Sequence, residues 1–155
     1  MTDIAVNGSS HAARRPDLGP DYILCECDLE PLKALVSQLE QSVAIAVCRP
    51  PSICLTMIPA EDSLEQQKFY LGEALTTECD VAVDGLSGFG LCLGDEPVRA
   101  YCLAVVDALL QADRPAPRAL EIFLREQGEH VARRDQAEFD LILQTQVDFK
   151  LMEEA

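Results

Sequence analysis

Residues 69–94, FYLGEALTTECDVAVDGLSGFGLCLG, predict two adjacent strands joined by a tight turn. Apolar residues alternate along its first part, a pattern typical of strands; they are Phe69, Leu71, Leu75, Cys79, Val81 and Val83. Asp84-Gly85 is a common two-residue hairpin turn. The first run is longer than a usual strand, so we expect a bulge near Gly72 or Thr76-Thr77.

The second strand of this stretch has one nearly bare face. Phe89, Leu91 and Leu93 alternate with a set that contains almost no side chain: Gly88, Gly90, Cys92 and Gly94. Glycine weakens a strand interior, so a bare face predicts the close approach of another backbone or helix. We therefore predict an interface at the three glycines.

Upstream, a second alternating pattern predicts more strands. Val43, Ile45 and Val47 alternate with small residues, and Ile53, Leu55 and Met57 form a similar run after Pro50-Pro51. Two prolines between alternating runs predict a hairpin turn at that point. The acidic segment 60–68 is then a connecting loop. The whole pattern predicts a mainly antiparallel sheet of about four to five strands.

Helical periodicity flanks the sheet on both sides, and the fold class is therefore α+β. Residues 21–40 form a helical region broken at Pro31, and a helix follows Pro97 over 98–111. Residues 119–152 form a long C-terminal helical segment, in which Gly128 is a candidate break. Such a helix is too long for one small core, so it projects and offers interface residues, which are Phe123, Phe139, Phe149 and Met152. Residues 1–20 read as a flexible N-terminal tail and 21–155 as a single domain.

Charge and composition exclude several partners. The net charge is −15, and residues 21–113 carry sixteen acidic side chains against Lys33, Arg49, Lys68 and Arg99. Nucleic acid sites concentrate lysine and arginine, so we predict no nucleic acid partner. No apolar run reaches the roughly 20 residues of a membrane helix, and no signal peptide is visible. Seven cysteines, an odd count, fit free thiols in a reducing compartment, and we predict a cytoplasmic protein.

Catalytic and cofactor patterns are weak throughout. The two histidines, His11 and His130, have no nucleophile pattern near them, and Cys25 and Cys27 lack the partners of a four-ligand metal site. We therefore predict no catalytic, metal or cofactor-binding residue. Glu73 is a candidate functional acid, because it lies in register with apolar strand residues, although a structural ion pair is the more common role of such a residue.

Three blocks of sequence together resemble the PhnG family of the bacterial carbon–phosphorus lyase system. They are FYLGEALTTECDVAV at 69–83, GFGLCLG at 88–94 with Arg99 and VDALLQ at 106–111, and ARRDQA with VDFKLM at 132–152. The resemblance covers roughly residues 21–152 and rests on the order of the blocks.

The resemblance implies a non-catalytic subunit of a transferase complex, which is not an enzyme alone. Its implied partners are PhnI, PhnH, PhnJ and PhnL-type subunits. The implied reaction joins methylphosphonate to the ribose of ATP with release of adenine, giving α-D-ribose 1-methylphosphonate 5-triphosphate in phosphonate catabolism. Two alternatives stay open: a free-standing thiol or metal-binding protein, and a dimeric α+β domain that binds a small ligand.

Overall fold

A computed structural model describes residues 18–111 and 115–145 and confirms an α+β fold. The elements follow in the order α1 (Pro20–Glu26), α2 (Leu29–Leu39), β1 (Ile45–Glu61), β2 (Lys68–Val83), β3 (Leu86–Leu93), α3 (Pro97–Gln111) and α4 (Arg118–Leu143). Most of the predicted N-terminal tail, 1–20, lies outside the described residues. So does the end of the predicted C-terminal helical segment, including Phe149 and Met152.

The sheet of the described residues has three antiparallel strands in the order β1-β2-β3, so the prediction of four to five strands is wrong. Pro50-Pro51 is not a turn, because β1 continues through both prolines and shifts its register on β2 between Val47 and Ser52. β1 is an edge strand, and an edge strand tolerates residues that have no amide hydrogen to donate. Two predicted strands are therefore one long strand.

The turn and the irregularity predicted for residues 69–94 are both present. Asp84 and Gly85 have φ angles of 50° and 85°, the left-handed pair that a two-residue hairpin turn requires. Ile58 pairs with Gly72 and Pro59 with Tyr70, which leaves Leu71 as the extra residue of a bulge.

Helix α3 covers one face of β2 and β3, and the core lies between them. Cys79, Val81 and Val83 of β2 are buried on this face. A Cβ atom on Gly88 would lie 2.0 Å from the carbonyl oxygen of Ala104, and one on Gly90 would lie 2.0 Å from that of Ala100. The close neighbour of the bare face is therefore helix α3 of the same chain. Because α3 lies against Gly88 and Gly90, a partner protein has no room at these two glycines.

Helices α1 and α2 pack beside α3. Four apolar residues of α2 repeat at helical spacing and are buried; they are Leu32, Leu35, Val36 and Leu39. The break between the two helices falls at Cys27 and Asp28 rather than at Pro31, which lies in the first turn of α2. Proline fits this position because the amides of a first helical turn have no partner within the helix.

Helix α4 is longer than the core it packs on. Its 26 residues span about 39 Å, and its buried residues are Leu120 and Val131. Gly128 does not end the helix; its Cα faces Ile23 of α1, whose Cδ1 would lie 3.1 Å from an added Cβ. None of the helices in the described part of the chain is long and apolar enough to cross a membrane.

Candidate functional site

The most prominent surface feature is a two-stranded arm, which we define as residues 55–75. Strand β3 ends at Leu93, which pairs with Thr76, and Thr76 pairs on its other side with Cys54. Beyond these residues β1 and β2 pair only with each other, apart from the Leu75 carbonyl, which accepts from the Gly94 amide at 2.8 Å. About seven residues of each strand at roughly 3.4 Å per residue carry the arm about 25 Å past the third strand.

A compact turn closes the tip of the arm. The Asp62 carboxylate accepts hydrogen bonds from the amides of Leu64 and Glu65, at 3.2 and 3.3 Å. The Gln66 amide donates to the carbonyl of Asp62 at 3.0 Å, and Gln66 has a φ of 54°. Asp62 therefore organises the connection between the two strands.

The arm exposes apolar side chains on both of its faces. Neighbouring residues of a strand point to opposite faces, and both members of the pairs Met57/Ile58 and Phe69/Tyr70 are exposed. The large apolar residues of the arm are between 42% and 90% exposed; they are Leu55, Met57, Ile58, Leu64, Phe69, Tyr70, Leu71 and Leu75. A concentration of exposed apolar side chains of this kind is typical of a protein–protein contact.

Two adjacent threonines anchor the root of the arm, one on each face. The Thr76 hydroxyl lies 2.8 Å from the hydroxyl of Thr56 and 3.0 Å from the sulfur of Cys54, which joins the two strands. On the opposite face the Thr77 hydroxyl donates to the carbonyl of Gly94 at 2.6 Å. It also accepts a hydrogen bond from the Glu96 amide at 3.0 Å. Thr77 therefore ties the arm to the segment that leads into α3.

The projecting end of α4 is a second exposed apolar surface. Arg134 attaches the helix to α1, since its guanidinium donates to the Glu26 carboxylate at 2.8 Å and the Glu26 carbonyl at 3.0 Å. The Tyr22 hydroxyl donates to Asp135 at 2.9 Å, and hydrogen bonds from Arg134 and Tyr22 lower the pKa of Asp135. Beyond this attachment we define the helix end as residues 136–143. Its exposed apolar residues are Phe139, Leu141, Ile142 and Leu143.

Three of the four basic side chains between residues 21 and 113 are already bound to groups of the same chain. Lys33 lies 2.8 Å from Glu30, and Arg49 contacts Glu78 and lies 2.8 Å from Asp80. Hydrogen bonding to Asp80 raises the pKa of Arg49. The Arg99 guanidinium donates to two main-chain carbonyls, those of Leu24 and Cys27, at 2.9 and 3.0 Å. These pairings leave little positive charge between residues 21 and 113 to offer to a phosphate ligand.

The thiols of Cys25 and Cys27 are packing groups. Cys27 is buried and Cys25 half-buried, and burial raises the pKa of both thiols, which keeps them protonated and unreactive. No group of three or more His, Cys, Asp or Glu side chains placed to hold a metal ion occurs among residues 18–111 and 115–145. The structure thus gives no support to the thiol or metal-binding alternative.

The other predicted site residues are scattered. Glu73 lies exposed on the arm opposite Met57, so it is not an acid buried on an apolar face. Gly94 has a φ of 83° in the turn after β3, and nothing lies within 4 Å of its added Cβ. Phe123 packs in part against the core, whereas Phe139 is 49% exposed.

Sequence reasoning missed the arm and its two anchoring threonines. The signal for the arm was visible as apolar residues at adjacent positions, such as Met57-Ile58 and Phe69-Tyr70-Leu71, within runs of strand-like alternation. No sequence signal distinguishes Thr77 from the other threonines, because its role depends on how close Gly94 lies in space.

A comparison with protein families assigns the chain clearly. The family model described as phosphonate metabolism protein PhnG matches residues 21–154, which include the arm and the helix end. No curated protein matches the chain significantly.

Proposed function

The chain belongs to the PhnG family of phosphonate metabolism proteins, and from this premise we propose that it is a non-catalytic subunit of a complex that breaks down organic phosphonates. Its partners are subunits of the PhnI, PhnH, PhnJ and PhnL types, in the cytoplasm. With them it supports formation of α-D-ribose 1-methylphosphonate 5-triphosphate from ATP and methylphosphonate, with release of adenine. The complex acts as a ribose 1-methylphosphonate 5-triphosphate synthase, and this chain contributes binding surface to it.

The observation that carries this proposal is the arm, apolar on both faces. A two-stranded ribbon without a third strand or a covering helix is marginally stable in water. Leu55 is 61% exposed and Leu71 is 70% exposed, so water covers side chains that a folded protein usually buries. Burying them against a partner would stabilise the arm and the complex together.

The distribution of apolar residues over both faces favours insertion over surface contact. A ribbon that lies flat on a partner hides one face and leaves the other in water. Met57 and Ile58 point to opposite faces, and so do Phe69 and Tyr70. The arm therefore fits between two surfaces, as in a cleft of one partner or a seam between two subunits.

The charge pattern supports a role without catalysis. A triphosphate ligand needs concentrated positive charge, and Lys33, Arg49 and Arg99 are each engaged by carboxylates or carbonyls of this chain. In the described part of the chain, His130 lies on the exposed surface of α4. The groups that bind and cleave the nucleotide would then belong to the partner subunits.

The helix end is the second contact that we propose. Arg134 and Asp135 attach α4 to α1 one turn before Phe139. This attachment fixes the orientation of the exposed apolar helix end relative to α1. We assign Phe139 to this contact, and Phe149 and Met152 remain predictions for the residues that follow.

Co-expression tests the proposal directly. The chain is produced with PhnI-, PhnH- and PhnL-type partners, the complex is isolated by size exclusion, and adenine release from ATP and methylphosphonate is measured. The double variant Leu55→Ser/Met57→Ser should separate from the complex and abolish the stimulation of adenine release. Val47→Ser is the matched control, because Val47 is 52% exposed in the same strand outside the arm.

Two results would contradict the proposal. One is a wild-type chain that elutes alone while the partners release adenine at full rate without it. The other is an arm variant that assembles as well as Val47→Ser does.

A further inference from the structure

A groove separates helix α1 from the outer edge of strand β3. Two adjoining cavities, of about 450 and 430 Å³, form it and share Cys25 of α1 and Leu91 of β3. Leu103 and Leu110 of α3 line the groove from below. It extends from Phe89 and Asp107 at one end to Leu93 and Glu96 at the other. The groove therefore follows β3 along most of its length.

The β3 edge that faces this groove has main-chain groups available for pairing. Within the described residues β3 is the last strand of the sheet. The Gly94 amide donates toward β2, to Leu75 at 2.8 Å, whereas the Phe89 amide points outward to the Asp107 carboxylate at 2.8 Å. Alternate residues of a strand direct their amides to opposite edges. The amides of Leu91 and Leu93 consequently face outward as well.

The lining of the groove is apolar and acidic. Phe89 and Leu91 are 46% and 39% exposed. Four acidic residues also line it: Asp21, Glu26, Glu96 and Asp107. One base, Arg99, lines it too, and its guanidinium is engaged by the carbonyls of Leu24 and Cys27.

We propose that this groove binds an extended, basic peptide segment of a partner protein, which pairs with β3 as an added strand. Main-chain hydrogen bonds to Leu91 and Leu93 would give affinity, as in other cases of strand addition. Apolar side chains of the segment contact Phe89 and Leu91, and its lysine or arginine side chains reach Asp21 and Glu96. Glu26 is already paired with Arg134, and Asp107 already accepts from the Phe89 amide, so these two add negative charge at the groove without being direct partners. This inference concerns a surface separate from the arm and does not depend on the role proposed above.

Charge selects a basic segment over a second copy of this chain. Residues 21–113 hold sixteen acidic side chains against four basic ones, so a second copy would bring like charge to an acidic groove. A basic strand removes that repulsion, and its binding should weaken as salt screens the charges.

The test uses the full chain and two labelled decapeptides, one alternating lysine with valine and one alternating glutamate with valine. Fluorescence anisotropy should show that the lysine peptide binds at least about tenfold more tightly than the glutamate peptide. Asp21→Asn, on the exposed surface of α1, should weaken binding of the lysine peptide without changing the thermal unfolding midpoint.

A pair of variants isolates the main-chain contact. Both Leu91→Pro and Leu91→Ala remove the leucine side chain from the groove. Only Leu91→Pro also removes the outward amide hydrogen, and neither removes a hydrogen bond to β2. We expect Leu91→Pro to bind the lysine peptide about tenfold more weakly than Leu91→Ala does. Thermal unfolding of both variants verifies that each is folded, and Asp21→Asn provides the independent readout if the proline variant is not.

Several results would overturn the inference. They are failure of the lysine peptide to bind, equal binding of the two peptides, and equal loss in Leu91→Pro and Leu91→Ala. A dimer in sedimentation that Leu91→Pro dissociates would instead assign the groove to a second copy. Tighter binding of the lysine peptide by the variant Arg14→Ala/Arg15→Ala would show that the chain's own N-terminal residues compete for the groove, and would assign the groove to them.

Discussion

The Thr77 hydroxyl donates a hydrogen bond of 2.6 Å to the carbonyl of Gly94, and this contact joins the root of the arm to the segment before α3. The same oxygen accepts from the Glu96 amide at 3.0 Å, and Thr77 is only 1% exposed. One side chain thus satisfies a carbonyl and an amide and connects the arm to the core.

Thr77→Val should destabilise the isolated chain by about 1–3 kcal/mol, because it leaves a carbonyl and an amide without their partner. Valine has nearly the same shape and favours strands, so the loss would report the hydrogen bonds. Urea unfolding measures the change in the free energy of unfolding. Thr56→Val is the comparison: it removes a bond to Thr76, whose hydroxyl keeps its contacts with Cys54, and should therefore cost less. An equal cost would contradict the role of Thr77.

Gly90→Ala should be among the most damaging single substitutions in the chain. Its Cβ would lie 2.0 Å from the carbonyl oxygen of Ala100, so α3 would have to move away from the sheet. We expect a loss of about 3 kcal/mol or more in the free energy of unfolding. Gly72→Ala is the matched control, because nothing lies within 4 Å of its added Cβ. Similar stability of the two variants would show that α3 does not pack as described.

Cys102 should make the stability of the chain depend on alkaline pH. Burial raises the pKa of its thiol from 9.0 to about 11. The folded state holds this proton more tightly, so the stabilisation is complete below pH 9 and is lost as the pH rises toward 11. Urea unfolding between pH 8 and 11 should show a smaller decline for Cys102→Ala than for the wild type. Parallel declines would exclude Cys102 as the cause.

Leu141→Ser/Ile142→Ser should weaken assembly with partner subunits while leaving the isolated chain intact. Both side chains are more than half exposed, so the free energy of unfolding should change by no more than about 0.5 kcal/mol per substitution. Size exclusion of the co-expressed complex measures assembly. Glu138→Gln, on the same stretch of helix, serves as control, and full assembly of the double variant would refute the second contact.

The local elements were largely predictable from the sequence. Asp84-Gly85 requires left-handed backbone at two successive residues, and few other turns fit that dipeptide between strands. The four apolar residues of α2 repeat at helical spacing, and all of them are buried. Such features depend on neighbours within a few residues, which is the information that a sequence carries directly.

Features set by the order of strands were not predictable. Pro50-Pro51 predicts a turn, because proline removes a ladder hydrogen bond, yet β1 lies at the edge, where one side of the strand needs no partner. The bare face at Gly88 and Gly90 did predict a close neighbour. It did not reveal that α3 of the same chain is this neighbour, since that depends on packing across the sheet.

The three prolines of β1 have a consequence for the time before the chain meets a partner. Pro50, Pro51 and Pro59 have no amide hydrogen, so β1 lacks a continuous row of donors for strand pairing. Newly made copies that expose a long apolar ribbon would otherwise pair edge to edge and aggregate. Because of the prolines, the chain can expose the apolar arm to its partner without offering other copies a continuous edge for strand pairing.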